Sequence, residues 1–476
     1  VSPLVKAEIA TLFPFDIGQL PVRYLGLPLV TKRLTAGDYA PLLEQIRKRI
    51  ASWTSRYLSY AGRLNLIQSI LWSICNFWLG AFRLPRQCIR EIDKICSTYL
   101  WSGLELSSKK AKISWEKVCK PKIEGGLGLR SLTEANDVCC LKLVWRIISN
   151  SKSLWVQWAT TYLLRRKHFW ALKQNTNAGS WIWRKILKYR DKAKLFSKMD
   201  VGNGTSISFW FDDWSALGRL FDVASERGVI DMGIRKESTL AEAWTGRRPR
   251  RHRLVQLNEI EQEMVIHQRN RTESDDIAMW KGKNNVYNAS FSTKETWHHI
   301  RAPSPTVPWY NGVWFNHATP KFSFCTWLAV QDRLSTGEHM VKWNRGESGL
   351  CVFCTNTMET RDHLFFSCNY VSTIWGDVAK KLWKTRFTKE WPQILAYVSD
   401  KSLQRVDGFL IMYVFQATIH TVWRERNGRR HGETPNTTSH LITWIDKQVR
   451  NQLTTIQRTG DRRYDKGMHD TFKTRN

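Results

Sequence analysis

The sequence has few acidic residues for its size, and it has no long run of purely apolar residues. Asp and Glu number 42 against 73 Lys and Arg, which gives the 476-residue chain a formal net charge of +31. Such an excess is typical of proteins that bind a polyanion, above all nucleic acid, although a solvated basic surface is the alternative. Polar and basic side chains interrupt the most apolar stretch, residues 64–84, so we expect a buried amphipathic helix there and no membrane span.

Paired cysteines of the kind found in disulfide-rich secreted proteins are also missing. The ten cysteines are scattered, and six of them lie in apolar, helix-like contexts: Cys75, Cys88, Cys96, Cys119, Cys139 and Cys140. This usage is typical of reduced thiols. No signal peptide is evident, so we expect a nuclear or cytoplasmic location.

Recognisable catalytic motifs are scarce. The glycines at 125, 126 and 128 lack the Lys and Ser/Thr of a phosphate-binding loop, and they indicate a tight turn before a helix that starts near residue 131. Asp212 and Asp213 follow an aromatic residue, as in a reverse-transcriptase active-site hairpin, but no acidic partner motif lies upstream. We interpret them as the edge of a packed hairpin, and Asp275 and Asp276 as a solvated turn. We therefore predict no catalytic residue.

Apolar periodicity predicts helices over most of the chain. Stripes at three- and four-residue spacing indicate three helices in the first hundred residues: Leu42, Leu43, Ile46, Ile50 and Trp53; Leu64, Ile67, Leu71, Ile74 and Trp78; and, after Pro85, Ile89, Ile92, Cys96 and Tyr99. Two short β segments are predicted, an alternating one at 207–211 after a turn at 202–204, and a hairpin at 278–292 around Asn284 and Asn285. The fold class is mainly α with small β-hairpins, in several domains.

One segment carries a distinct chemical signature. Residues 351–368 read CVFCTNTMETRDHLFFSC, and they place Cys351 and Cys354 in a C-x2-C pair, followed by His363 and Cys368. Four such ligands within eighteen residues favour a tetrahedral zinc site with no open position, so the zinc would be structural. The alternative is a set of buried free cysteines beside a surface histidine.

Several motifs occur in the order seen in one known family. They are YLGLPLV at 24–30, GRLNLIQSIL at 62–71, ISWEKVCKPKIEGGLGLRSLTEAN at 113–136, VGNGTSISFWFDDW at 201–214, the stretch 275–297, and VWRERNGRR at 422–430. The most specific stretch begins at Pro308 and runs into the Cys/His segment, with matches at Trp314, Pro320, Lys321, Phe324, Trp327, Leu328, Arg333, Leu334 and Thr336. The chain resembles the C-terminal part of plant LINE-type (non-LTR) retrotransposon reverse transcriptases, including their zinc-binding domain.

The resemblance implies a domain organisation. We expect a helical thumb-like region at 1–150, a mixed α/β connector at 151–305, the reverse-transcriptase zinc-binding domain at 306–395, and C-terminal helices with a basic tail at 396–476. In that family the polymerase palm with its catalytic Asp pair precedes the segment similar to 24–30. Because this chain begins at Val1, after that region, we expect no polymerase activity from it alone.

The expected partner is RNA or DNA, bound through phosphate groups by basic residues, with the rest of a retrotransposon polyprotein as a further partner. The basic runs offered for this contact are Lys109, Lys110, Lys112, Arg247, Arg248, Arg250, Arg251 and Arg253. An arginine-rich solvated loop is an equally good interpretation of the second run. Two other functions stay open, namely RNA-directed DNA polymerase activity within a longer polyprotein, and a protein-interaction scaffold with a basic surface.

Overall fold

A computed structural model describes residues 2–13, 22–53, 58–107, 110–165, 167–172, 179–245, 248–343, 348–403, 405–461 and 464. Helices dominate these ranges, and the strands are few and short, which confirms the predicted fold class. No helix within the described ranges has both the length and the apolar character needed to cross a bilayer. None of the ten cysteines forms a disulfide within the described residues, as their scattered positions predict.

The α-helices are numbered in chain order. They are α1 (Pro3–Leu12), α2 (Ala36–Ala51), α3 (Tyr60–Leu66), α4 (Trp72–Ala81), α5 (Arg86–Ser102), α6 (Trp115–Val118), α7 (Leu132–Ile148), α8 (Leu154–Trp158), α9 (Trp181–Lys188), α10 (Arg190–Lys194), α11 (Leu220–Met232), α12 (Leu240–Trp244), α13 (Val255–Arg269), α14 (Thr293–Ile300), α15 (Tyr310–Val313), α16 (Pro320–Val330), α17 (Gly337–Lys342), α18 (Asn369–Trp383), α19 (Trp391–Val398), α20 (Arg405–Arg430) and α21 (Thr438–Arg458). Within the described ranges, three π-helical turns occur at Ile67–Leu71, Ala159–Leu164 and His363–Ser367.

The strands form three small antiparallel sheets. They are β1 (Arg23–Tyr24), β2 (Leu27–Pro28), β3 (Ser197–Asp200), β4 (Asp213–Ser215), β5 (Gly218–Arg219), β6 (Ile277–Lys281) and β7 (Tyr287–Asn288). Sheet order is β1-β2, β3-β6-β7 and β4-β5. The predicted hairpin at 278–292 is confirmed, because β6 pairs with β7 across Asn284 and Asn285, which both have positive φ.

The predicted strand at 207–211 is wrong. Residues 202–207 form bends, and Ser208 makes an isolated bridge to Thr239 before a turn begins. Phe209 and Trp210 are neighbours in sequence, yet both are fully buried. The alternation of apolar residues therefore did not reflect a pleated strand, because a turn buries adjacent side chains against the same core.

The chain divides into two compact units, each assembled from three segments. The first contains residues 1–44, 74–90 and 132–302. One of its cores lies where α7, α9, α10 and α14 meet the β3-β6-β7 sheet, around Trp280, whose indole donates to the Thr296 hydroxyl at 2.9 Å. A second core within this unit gathers Phe209, Trp210 and Trp214 with α11, α12 and α13.

The second unit contains residues 45–73, 91–131 and 303–476. Its centre is α16, in which eight consecutive residues from Phe322 to Ala329 are buried, and which packs against α20 and α3. Helices α18, α20 and α21 pack against one another. The glycine turn at 125–128 belongs here and is a tight turn, as predicted: Gly125 has φ 86°, and its carbonyl accepts the Trp327 indole N–H at 2.8 Å.

The predicted domain boundaries at 150, 305 and 395 stay a prediction. Several predicted helical stripes coincide with buried faces; Leu42, Leu43, Ile46 and Ile50 on α2 are all buried. The second predicted helix continues from α3 through a π-helical turn into α4. Helix α7 begins at Leu132, next to the predicted start.

Candidate metal centre and basic surface

The first two candidate ligands lie on a tight turn. The Cys351 N–H donates to the Thr357 carbonyl at 2.8 Å, and the Thr355 N–H donates to the Cys351 carbonyl at 2.8 Å. Leu350 and Met358 form an isolated antiparallel bridge that closes the base of this turn. Thr355 has φ 59°, the left-handed conformation that reverses the chain just after Cys354. The turn therefore brings Cys351 and Cys354 close together, with their sulfurs among ligand atoms that all lie within 4.8 Å of one another.

The other two candidates lie on either side of a π-helical turn. His363 starts this turn, which ends at Ser367, and the Cys368 N–H donates to the His363 carbonyl at 2.8 Å. Cys368 is then the N-cap residue of α18. Such π turns are rare and often occur at functional sites, because the wider turn re-aims a side chain. Leu364, Phe365 and Phe366, within the turn, are fully buried and fix it against the core.

The four ligand atoms converge on one point. All of them lie within 4.8 Å of one another. The Cys351 and Cys368 sulfurs are 3.9 Å apart, and the Cys354 sulfur is 3.3 Å from His363 Nε2. Ideal tetrahedral zinc, with Zn–S near 2.3 Å and Zn–N near 2.0–2.1 Å, requires separations of about 3.8 Å and about 3.5 Å. The donor set therefore fits zinc in both chemistry and size.

Hydrogen bonds at this cluster favour a thiolate at Cys368, although burial opposes it. Cys351 and Cys368 are fully buried, and Cys354 and His363 are partly exposed. The hydrogen bond from the Cys351 thiol lowers the pKa of Cys368, and the Tyr370 and Val371 N–H groups at the start of α18 lower it further. The same shared proton raises the pKa of Cys351. The positive end of the α18 dipole thus faces a sulfur that a metal would bind as thiolate.

The acidic member of a buried ion pair lies directly after the 351–357 turn in the sequence. The Glu359 side chain is fully buried, and its Oε1 accepts from Arg426 Nη2 at 2.7 Å and Nε at 3.0 Å. The same oxygen accepts the Gly337 N–H at 2.8 Å. Arg426 lies on α20 and also donates to the Ser335 carbonyl. Sequence reasoning missed this pair, because a glutamate is normally solvated and nothing in the local pattern marks one that is not.

The carboxylates of Asp212 and Asp213 make structural contacts within their own unit. Asp212 Oδ1 accepts the Trp170 indole at 3.0 Å, and Oδ2 accepts the Ser208 N–H at 2.9 Å and lies 3.1 Å from His168 Nε2. Burial raises the pKa of Asp212, but His168 and these hydrogen bonds lower it by more, so the net shift is downward. Asp213 begins β4 and lies 3.8 Å from Arg219. These contacts agree with the packed hairpin edge expected from the sequence.

The Asp276 carboxylate likewise accepts hydrogen bonds from backbone N–H groups. Its two oxygens accept the N–H groups of Gly202, Gly204 and Ser206 at 2.8–2.9 Å. A side chain at position 202 would collide with the Ser274 carbonyl, since a Cβ there would lie 2.2 Å from it. The expectation of a solvated turn was therefore incomplete, because this carboxylate organises the 202–206 loop.

The predicted phosphate-contacting residues fall into two groups. Lys110 pairs with Glu105, and Lys112 donates to the Ser335 hydroxyl at 2.9 Å. Lys109 and Arg247 lie outside the described residues. Arg248, Arg250, Arg251 and Arg253 are exposed, and among the described residues none of the four forms an ion pair or a side-chain hydrogen bond. We name these four the arginine loop.

The arginine loop has a fixed base. His252 is largely buried, and its Nε2 lies 3.0 Å from the Glu261 carboxylate on α13. The His252 N–H donates to Asn258 at 2.7 Å, and the Asn258 amide returns a hydrogen bond to the His252 carbonyl at 2.9 Å. The loop therefore presents its guanidinium groups from a backbone tied to α13.

The aromatic residues near α16 are core residues. Phe322, Phe324 and Trp327 are buried. Trp314 is partly exposed, and Lys122 Nζ lies 4.6 Å from its ring centroid. The described packing agrees with the expectation that this set stabilises the fold.

Comparison with known proteins agrees with this geometry. Residues 291–375 match the family described as zinc-binding in reverse transcriptase. A stretch of 366 residues, 73% of this chain, is 25% identical to a putative ribonuclease H protein of Arabidopsis thaliana. A stretch of 141 residues, 29% of this chain, is 28% identical to an uncharacterized mitochondrial protein of the same plant.

The two relatives are covered to different extents. The chain matches 57% of the length of the first relative and 88% of the second. The family match includes all four residues of the Cys/His cluster. These matches confirm the resemblance inferred from the motifs, in that residues 291–375 are similar to the zinc-binding family of reverse transcriptases.

Proposed function

We propose that the chain is a zinc-stabilised, nucleic-acid-binding and non-catalytic C-terminal region of a plant LINE-type retrotransposon reverse transcriptase. The observation that carries this proposal is the convergence of three thiols and one imidazole within 4.8 Å, inside the segment that matches the zinc-binding family. The ligands proposed are Cys351, Cys354, His363 and Cys368.

Four protein ligands would leave the metal no open position, so the zinc would hold structure and not activate water. It would join the 351–357 turn to the start of α18. Structural zinc in small domains contributes apparent binding free energies of about 10–16 kcal/mol near neutral pH, and that energy becomes folding energy. The proposed role of the metal is therefore to fix the 351–357 turn, which is followed at once by Glu359 of the buried Glu359–Arg426 pair.

Nucleic-acid binding is supported by charge and exposure. The net charge of +31 favours a polyanion, and the arginine loop offers four guanidinium groups on a fixed base. Such contacts are made with phosphate and sugar, so they position a strand without reading its sequence. We propose RNA or DNA as the partner, with the rest of a retrotransposon polyprotein as the second.

The non-catalytic part of the proposal is supported by the state of the carboxylates. Metal-dependent polymerases need acidic side chains that are free to hold two divalent ions. Asp212 and Asp276 are both occupied by hydrogen bonds from their own unit. Within the described ranges, the Cys/His cluster is the one group of three or more side chains placed to hold a metal.

One sample tests the first two parts together, zinc binding and nucleic-acid binding. Elemental analysis of freshly purified protein is expected to give about one zinc per chain. Fluorescence anisotropy with labelled single-stranded RNA and duplex DNA is expected to show affinity that falls steeply with salt, with a log–log slope near −0.7 or −0.9 per phosphate contact. Protein without zinc would contradict the metal assignment, and absence of binding at low salt would contradict the nucleic-acid assignment.

A primer-extension assay tests the remaining part. With magnesium or manganese, a template and a primer, we expect no template-dependent synthesis by this chain. Synthesis that disappears in Asp213→Ala would overturn the non-catalytic proposal. Stronger binding of heparin together with no binding of either nucleic acid would instead favour the protein-interaction scaffold.

A further inference from the structure

A second cluster of cations surrounds a cavity in the first unit. The cavity has a volume of about 330 Å³, and it lies beside the start of α5, the first half of α7 and the junction of α9 and α10. Arg83, Arg86, Lys188 and Lys192 line it, together with Asp137 and Tyr189. The volume is several times the roughly 30 Å³ that a water molecule occupies in the liquid. The cavity therefore has room for an anion larger than chloride.

One carboxylate serves several of these groups at once. The Tyr189 hydroxyl donates to Asp137 Oδ1 and accepts from Arg83 Nε at 3.1 Å. Lys192 Nζ lies 3.3 Å from Asp137 Oδ2, and Arg83 Nη2 lies 3.6 Å from Oδ1. Asp137 is thus fully engaged by groups that are already fixed, and its single negative charge faces four positive ones.

The remaining cations lack a counter-charge. Arg86 and Lys188 are exposed, and within the described part of the chain neither forms an ion pair. The pKa of nearby Lys185 is lowered, first by burial and then by repulsion from Lys188, Arg83 and Arg33. The contribution of these cations to the shift, which is smaller than that of burial, has the sign expected near a cluster of positive charges. The cavity therefore carries an excess of about three positive charges at neutral pH.

The site is held in a defined shape. The Asn136 side chain, on α7, is buried, and it accepts the Leu84 N–H at 3.0 Å and donates to the Leu84 carbonyl at 3.1 Å. This pair of bonds fixes the short segment that connects Arg83 to Arg86. The first turn of the 17-residue helix α5 begins here, and its N-terminal partial charge adds to the positive field.

We propose that this cavity binds a backbone phosphate of the nucleic-acid strand that the chain holds. The inference rests on the proposed function and adds a second contact point to it, on a part of the chain that the family match does not include. Arg86 and Lys188 would contact the phosphate directly, while Arg83 and Lys192 stay on Asp137 and neutralise it. The contact is with phosphate alone, so it contributes affinity and no sequence preference.

The test compares two double variants that remove equal charge. Arg86→Ala with Lys188→Ala removes the two unpaired cations, and Arg271→Ala with Lys294→Ala removes two exposed cations of the same unit away from the cavity. Anisotropy with labelled single-stranded RNA is followed from about 50 to 200 mM salt. Loss of two contacts is expected to reduce the log–log salt slope by about 1.4 and the affinity by roughly tenfold, with less change in the control.

A third variant guards against misfolding as an explanation. Asp137→Asn keeps an acceptor for the Tyr189 hydroxyl but removes the negative charge beside the phosphate, so binding is expected to tighten several-fold. A misfolded protein would not gain affinity. If wild-type protein binds RNA while the cavity variants match the control, the cavity proposal is overturned and the proposed function stands. If wild-type protein does not bind at all, both are overturned.

Discussion

The Cys/His cluster and the Asp212–Asp213 pair both resemble metal-binding motifs in sequence, but their side chains are arranged in opposite ways. In the cluster, four donor atoms turn toward one point, and the two close pairs among them are 3.9 and 3.3 Å apart. In the aspartate pair, the Asp212 oxygens turn toward an indole, a backbone N–H and an imidazole of the same unit. A metal ion would find ligands in the first place and an already satisfied carboxylate in the second.

The difference shows what decides whether a motif can bind a metal. Both motifs have suitable residue types at plausible spacing. Only the Cys/His cluster leaves its donor atoms without other strong partners, because a sulfur accepts hydrogen bonds weakly. A buried carboxylate, in contrast, needs strong hydrogen bonds from the surrounding protein. The availability of the donor atoms therefore carries more information than their order along the chain.

The largest expected effect tests the cluster. Cys354→Ser should remove a ligand, so the second unit should lose zinc and part of its fold. The apparent free energy of zinc binding that is available to folding is on the order of 10 kcal/mol. Zinc content and urea unfolding followed by tryptophan fluorescence measure both changes. Cys119→Ser, a thiol outside the cluster, is the matched control and should keep its zinc. Equal zinc in the two variants would contradict the ligand assignment.

The next effect tests the aspartate pair. Asp212→Asn should leave zinc content unchanged and lower the free energy of unfolding by about 2–3 kcal/mol, because it weakens charge-assisted hydrogen bonds in a buried site. Asp213→Asn, at a partly exposed position with one long contact to Arg219, should cost less than about 1 kcal/mol. Urea unfolding curves measure this. A loss of zinc in Asp212→Asn would mean that the two regions are not independent.

A third carboxylate, that of Asp93, extends the comparison to the pH dependence of the free energy of unfolding. Burial raises the pKa of Asp93 to about 6, and its hydrogen bond from the Trp115 indole at 2.9 Å offsets this only in part. Asp212, which has His168 beside it, shows the opposite shift. The pKa of Asp93 is higher in the folded protein than in the unfolded chain, so the protonated carboxyl adds to the free energy of unfolding at low pH. This contribution is lost as pH rises through about 6.

Asp93→Asn should therefore raise the free energy of unfolding at pH 7 by about 2 kcal/mol, while keeping the acceptor for Trp115. The gain should shrink as pH falls from about 7 to about 5. Urea unfolding of variant and wild type at each pH isolates Asp93 from other groups, including His420, whose pKa burial lowers to about 4. A difference that does not change with pH would contradict this account.

The smallest effect on stability is expected at the arginine loop. Replacing Arg248, Arg250, Arg251 and Arg253 by Ala should change the free energy of unfolding by less than about 0.5 kcal/mol, because the side chains are exposed. The same variant should reduce the salt slope of single-stranded RNA binding by up to about 2.8. Unchanged binding with unchanged stability would show that the loop is only a solvated basic surface.

Much of the local structure follows from the sequence, because its causes are local. Helical stripes such as Leu42, Leu43 and Ile46 place apolar residues on one face, and the Asn284–Asn285 pair tolerates the positive φ of a tight hairpin. The four candidate ligands lie within eighteen residues. Short separations limit the number of arrangements, so spacing alone indicates a shared point.

The features that sequence reasoning missed depend on distant residues. Glu359 meets Arg426 from 67 positions away, and Asp137 meets Lys192 from 55 positions away. The alternation at 207–211 was misleading for the same reason, since a turn packed against α12 and α13 buries those residues without a strand. Charge and hydropathy patterns do not report which distant side chain will be the partner.

The position of Arg426 has a practical consequence. The family match ends at residue 375, but the guanidinium that neutralises Glu359 is on α20, some fifty residues farther along the chain. A recombinant fragment cut at the end of the match would keep every proposed ligand but lose α20. It would therefore lose the packing of α20 against α16, and also the partner of Glu359, a loss that costs about 3–5 kcal/mol where the charge stays buried. Expression of this module as an independent piece should therefore succeed only when its C-terminal border lies beyond α20.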